Sequence, residues 1–167
     1  MMINEEPIND AFNAWLEKYG FSVRVYGMDY EFAYYHDERD ITWSVLYDQE
    51  TENMWDAFLE RMGLAYMLHH FWTSFLHEVG HDETMYLLTA EEIAYCAERA
   101  KVCSLAEYFE LSREIIATKW AIDFIHNNIE AVCELVATVG PLVADMLDLE
   151  GYLWKINIVS ASVNYAI

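Results

Sequence analysis

The stretch TSFLHEVGHDE, residues 73–83, sets two histidines four residues apart with a glutamate directly after the first. On an α-helix, residues four apart lie about 40° apart in azimuth and about one turn apart along the axis, so His77 and His81 can point at one metal ion. Neutral imidazoles suit Zn²⁺. Glu78 then falls beside the ion, within reach of a water, where its carboxylate can accept a proton and pass it to a leaving amine. Gly80 removes side-chain bulk beside the expected metal. The residue types together point to metal-assisted hydrolysis.

A catalytic zinc site takes three protein ligands and keeps one position open, so a further ligand must come from elsewhere in the chain. Glu91, Glu92, Glu98, Glu107, Glu110, Glu114 and His126 are the downstream candidates. Glu114 stands out because it opens EIIATKWA, in which Ala117 and Ala121 form a stripe of small residues that lets one helix approach another closely. His126 lies about 120° around the same helix and cannot share that face. His69 and His70 read as packing or surface residues. Asp82 and Glu83 read as solvated acids at a helix end, with support of a ligating imidazole as the alternative.

These side chains need elements to position them. DAFNAWLEKYG has the spacing of a short amphipathic helix that stops at Gly20. FSVRVY, YEFAYY and ITWSVLY read as strands of a small antiparallel meander, with Gly27 and HDERD at the turns. From about Thr51 the pattern becomes helical: one helix ends near Gly63, and a mostly apolar one runs from about Leu64 through the histidines and is expected to be central. Thr89 with Glu92, and Ser104 with Glu107, carry capping-box spacing. Ser112 is a further candidate cap, and Asn127 and Asn128 are candidate stops. The C-terminal region reads as a helix broken near Gly140-Pro141, followed by a strand-like YLWKINIVSASVNYAI. The expected architecture is α+β, one domain over residues 1–167, with a small N-terminal sheet and a helical remainder.

Composition narrows the function classes. The chain has 167 residues, is 55% hydrophobic and 16% aromatic, and carries 29 acidic against 9 basic residues for a net charge of -20. Disorder is excluded by the apolar content, and direct binding to nucleic acid is disfavoured by repulsion from phosphate. Three cysteines without CxxC spacing argue against disulfides and thiolate-held zinc, and read as buried free thiols. The acidic N-terminus does not resemble a signal peptide, and the apolar runs are too short or too interrupted to span a bilayer, so a cytoplasmic protein without a membrane partner is expected. The aromatic set Tyr26, Tyr30, Phe32, Tyr34, Tyr35, Trp43 and Tyr47 reads chiefly as sheet packing. One of the twelve tyrosines could stabilise an oxyanion, but spacing does not choose which.

FWTSFLHEVGH followed by EIIATKWA resembles the ImmA/IrrE family of zinc metallopeptidases, in which an HExGH helix precedes a helix of the form E-x-x-A-x-x-aromatic-A. The matching positions are His77, Glu78, Gly80 and His81, then Glu114, Ala117, Trp120 and Ala121. The resemblance spans roughly residues 70 to 125. It implies a compact zincin-like core in which His77, His81 and Glu114 bind Zn²⁺ and Glu78 is the general base. It also implies a bacterial or phage setting and a protein substrate such as a DNA-binding repressor. The leading expectation is therefore a zinc-dependent endopeptidase. The alternatives are a non-catalytic acidic interaction protein, such as a phage or mobile-element inhibitor sequestering a basic partner, and a zinc site that only stabilises the fold.

Overall fold

A computed structural model describes residues 4–46, 48–64 and 68–147, and these form an α+β structure. The order is α1 (Glu6–Lys18), β1 (Arg24–Met28), β2 (Ala33–Tyr35), β3 (Asp40–Trp43), α2 (Gln49–Arg61), α3 (His70–Thr84), a 3₁₀ turn (Met85–Leu87), α4 (Ala90–Ala100), α5 (Leu105–Phe109), α6 (Ser112–Asn127) and α7 (Ile129–Leu147). No helix among the described residues is long and apolar enough to cross a membrane. The strand expected in YLWKINIVSASVNYAI lies outside the described residues.

Local chemistry explains most boundaries. Pro7 sits in the first turn of α1, where its missing N–H costs nothing, and this starts the helix ahead of the apolar repeat. Past α1 and α2, Gly20 and Gly63 take φ of 81° and 100°, a region that glycine enters without strain. Asp48 caps α2 by accepting from the Thr51 N–H, and Thr89 and Glu92 form the full capping box of α4. Two expected helix starts differ. The cap position of α6 is Leu111, so Ser112 is the first residue inside that helix. The histidine helix begins at His70 rather than near Leu64, and its cap is the His69 side chain, which accepts from the Phe71 N–H.

The sheet is not the expected antiparallel meander. Its order is β1-β3-β2, with β3 parallel to β1 and antiparallel to β2. Alternation tells which side chains share a face, but it does not name a strand's neighbours. The burial of Ile41, Thr42, Trp43 and Ser44 in an unbroken run marks β3 as the central strand, covered on both faces. At β1 the register slips between Val25 and Gly27, and the Asn13 side chain bonds both the N–H and the C=O of Val25, satisfying that edge. Tyr26, Tyr30 and Tyr35 are exposed, so of the aromatic set mainly Trp43, Phe32 and Tyr34 pack inward. Tyr47 lies outside the described residues.

Helix α3 runs through the middle of the core. From Phe71 to His81 every residue except Ser74 is buried. Phe12 of α1 contacts Phe75 at 4.5 Å and Trp43 at 6.0 Å between ring centroids, joining α1, the sheet and α3. The Trp15 indole N–H donates to the Ala131 carbonyl at 2.8 Å, tying α1 to α7. Helix α7 continues through Pro141 instead of breaking there. Proline forfeits one N–H and crowds the preceding turn, and burial of Val136, Val139, Val143 and Ala144 on both sides of it outweighs that cost. All three cysteines are free, but only Cys96 is buried; Cys133 is exposed and Cys103 is intermediate.

Candidate metal centre

The closest helix pair builds the site. Gly80 of α3 faces the backbone of α6, and a Cβ there would lie 2.5 Å from the Ala117 carbonyl oxygen. The space cleared by this glycine is thus needed by the neighbouring helix rather than by an ion. On the other side of the contact, Ala117 and Ala121 are buried, as the small-residue stripe predicts. With the axes this close, Glu114 in the first turn of α6 reaches the histidines of α3.

His77, His81 and Glu114 are all buried, and one ligand atom from each lies within 4.8 Å of the others. His77 Nε2 is 3.1 Å from Glu114 Oε1, and His81 Nε2 is 3.2 Å from the same carboxylate. Neighbouring ligand atoms on a tetrahedral zinc with bonds near 2.0–2.1 Å stand about 3.3 Å apart, so the donor set fits such an ion in type and spacing. Burial opposes the charge on Glu114, but hydrogen bonds from His77 and His81 outweigh it and hold the carboxyl well below its ordinary range. Its second oxygen accepts from Arg113 Nε at 3.0 Å.

Further side chains fix the two imidazoles. His77 Nδ1 meets the Thr118 hydroxyl at 2.9 Å; with a metal bound, Nδ1 would carry the proton and donate there, and Nε2, which faces Glu114 in this structure, would turn its lone pair to the ion. The Trp55 ring stands edge-on to His77 at 5.1 Å and anchors through its N–H on Thr73. Tyr34 of β2 lies nearly parallel to His81, with ring centroids 6.1 Å apart. Its hydroxyl donates to Asp82 at 2.6 Å, and Arg39 donates to both oxygens of Asp82 at 2.8 and 2.6 Å. Asp82 is therefore no solvated acid: its side chain is 2% exposed and clamps the β2–β3 hairpin against α3 beside His81.

Glu78 is also buried, and among the described residues its carboxylate has no hydrogen-bond partner. Burial pushes it up to about 7, with His81 opposing and Glu114 reinforcing the shift. A group poised there exchanges protons near neutral pH. It lines a cavity of about 660 Å³ together with His77, Glu114 and Tyr108. The Tyr108 phenol is driven well above its ordinary range by burial and by the negative charge of Glu114 and Glu78, so it remains a donor.

The other third-ligand candidates stay apart from this group. Glu92 caps α4, Glu98 pairs with Lys101, Glu107 with Arg99 and Glu110 with Arg61. Glu91 and His126 are exposed. His70 lies 2.8 Å from Glu52 and lines the cavity without joining the cluster. Thr118 was legible in principle, since it follows Glu114 by four residues and shares its face. Tyr108, Tyr34 and Arg39 carry no comparable signal, because they arrive from other elements. No family model matches the chain, and no curated protein or solved structure matches it.

Proposed function

We propose that the chain is a zinc-dependent endopeptidase with a zincin-like core of the ImmA/IrrE kind, acting on a protein substrate for which a DNA-binding regulator is the leading class. The observation that carries this reading is the convergence of His77, His81 and Glu114, with a buried Glu78 that has no hydrogen bond among the described residues lining one cavity together with His77 and Glu114. A set of two imidazoles and one carboxylate favours zinc, and three protein ligands among the described residues favour an open catalytic site over a closed structural one. The central position of α3 beneath a small sheet, with β2 alongside it, is compatible with the zincin-like architecture.

When bound, zinc supplies Lewis acidity, polarising a carbonyl and making water acidic near neutral pH. The chain's own groups handle the rest. Glu78 accepts a proton from the water that adds to the carbonyl carbon and delivers it to the amide nitrogen as the C–N bond breaks, giving a carboxylate and an amine. Tyr108, held protonated, offers a hydrogen bond where negative charge develops on the carbonyl oxygen. Thr118 and Tyr34 keep the imidazoles in orientation.

The test pairs metal content with cleavage. Wild-type protein is expected to carry about one zinc per chain by elemental mass spectrometry and to cut members of a proteome-derived peptide mixture. Glu78→Gln should keep the zinc and lose the cleavage. Glu114→Ala should lose both. Cleavage by the Glu78→Gln protein overturns the assignment of the base, and a metal-free wild type after zinc reconstitution overturns the centre.

A further inference from the structure

The cavity beside the metal centre has an uneven charge. Besides Glu78 and Glu114, its walls carry Glu31, Asp48 and Glu52, and among the described residues they contain no lysine or arginine. Asp48 is engaged in capping α2 through Thr51. The other two have charge to spare. Glu52 sets Oε1 2.8 Å from His70 Nδ1, while its Oε2 is buried without a hydrogen-bond partner among the described residues. Burial pulls the His70 imidazole down against the influence of Glu52. Glu31 is exposed and forms no ion pair among the described residues. Glu78, nine-tenths buried and without a hydrogen bond among the described residues, lines the same space.

A buried carboxylate oxygen without a donor is costly, so Glu52 Oε2, with the exposed Glu31 beside it on the same cavity, gives these walls a preference for a cation. The same walls hold Phe32, Trp55 and Tyr108, whose faces suit an aliphatic stem that ends in a positive head. A small hydrated ion would leave that apolar surface uncovered. A lysine or arginine side chain covers it and brings its charge to Glu52 and Glu31.

We propose that this cleft is a subsite for a lysine or arginine side chain of a peptide, seated beside the bond that faces His77, Glu78 and His81. The reaction assigned to that bond rests on the peptidase reading above, whereas the charge preference rests on Glu31 and Glu52. Basic residues near the scissile bond then select the substrate. The surplus of acid on the chain adds long-range attraction for the same partners.

The probe is a fluorescein-labelled alanine heptapeptide with a central arginine, set against the same peptide with citrulline, which keeps the shape and removes the charge. Binding is read by anisotropy on the zinc-loaded Glu78→Gln protein, and cleavage by mass spectrometry on the wild type. The arginine peptide should bind about tenfold more tightly, as expected for charge-assisted hydrogen bonds to a desolvated acid. Glu52→Gln and Glu31→Gln, checked for fold by circular dichroism, should each erode that ratio. Preference without cleavage of either peptide supports the subsite and counts against the peptidase reading. Equal affinity for the two peptides overturns the subsite, whether or not either is cut.

Discussion

Gly80→Ala is the most informative single change, because one methyl group tests whether the approach of α3 to α6 sets the ligand geometry. The added Cβ would stand 2.5 Å from the Ala117 carbonyl oxygen and 3.2 Å from the Trp120 ring. Carbon-to-oxygen contacts settle near 3.3 Å, so the carbonyl must recede by about 0.8 Å. No rotamer relieves the clash, since the obstacle is backbone, and Ala117→Gly would not rescue it. Overpacking of this kind costs about 1–3 kcal/mol. Against it stands the gain of alanine over glycine inside a helix, about 1 kcal/mol. The expected loss of stability in the metal-free protein is therefore small, about 0–2 kcal/mol.

The effect on metal binding is expected to be larger. Glu114 lies one turn before Ala117, so a retreat of α6 carries its carboxylate away from both imidazoles. Metal–ligand distances tolerate only about 0.2 Å, and a displacement several times greater should weaken zinc by on the order of tenfold or more. Two assays separate the effects: thermal melting of the metal-free protein reports packing, and competition against a chromophoric chelator reports zinc affinity. Parent-like zinc affinity in a folded Gly80→Ala protein would refute the claim that this helix contact positions Glu114.

Thr118→Val removes the partner of His77 Nδ1 while keeping the side chain's shape; zinc affinity should fall about 10- to 100-fold in the same competition assay, with the ligand set intact. Stripping zinc should lower the melting temperature, and restoring it at one hundred times its Kd should return about 2.7 kcal/mol, a gain that Glu114→Ala abolishes. Glu134 of α7, held below its ordinary value by Lys18 at the end of α1 and then by Tyr19 just past it, contributes stability above its unfolded pKa. That contribution is lost as pH falls through the lower folded value, so Glu134→Gln should flatten the acid limb of a melting curve measured against pH. The Lys18–Glu134 pair is partly exposed, and added salt should shrink the difference.

What the chain reveals about its fold follows from the range of each signal. Capping and helix periodicity act over a few residues, and they locate α2, α4 and the end of α6 closely. Sheet order is a long-range property: β1 meets β3 only because the chain passes β2 on the far side and turns back, and nothing in FSVRVY or ITWSVLY encodes that path. Gly140-Pro141 misleads for a related reason. Its penalty is local, while the apolar face that carries α7 through it depends on α1, to which Trp15 ties that helix.

The candidate metal centre shows the same division at closer range. His77 and His81 are paired by the helix repeat, and Glu114 is distinguished by the small residues behind it, whose spacing alone announces a close helix contact. The cleft is different. Glu31 comes from the link between two strands, Glu52 from α2, Tyr108 from α5 and Glu78 from α3, and no spacing joins them. In an acidic chain Glu31 and Glu52 each read as one more solvated carboxylate. Folding gives Glu52 a distinct role by withdrawing water from it, which leaves its Oε2 buried without a donor among the described residues. The candidate metal ligands are thus marked by local spacing, whereas the proposed subsite is encoded by tertiary placement. A distant core change that tilts α2 should alter peptide preference before it alters zinc affinity, and a change at the α3–α6 contact should do the reverse.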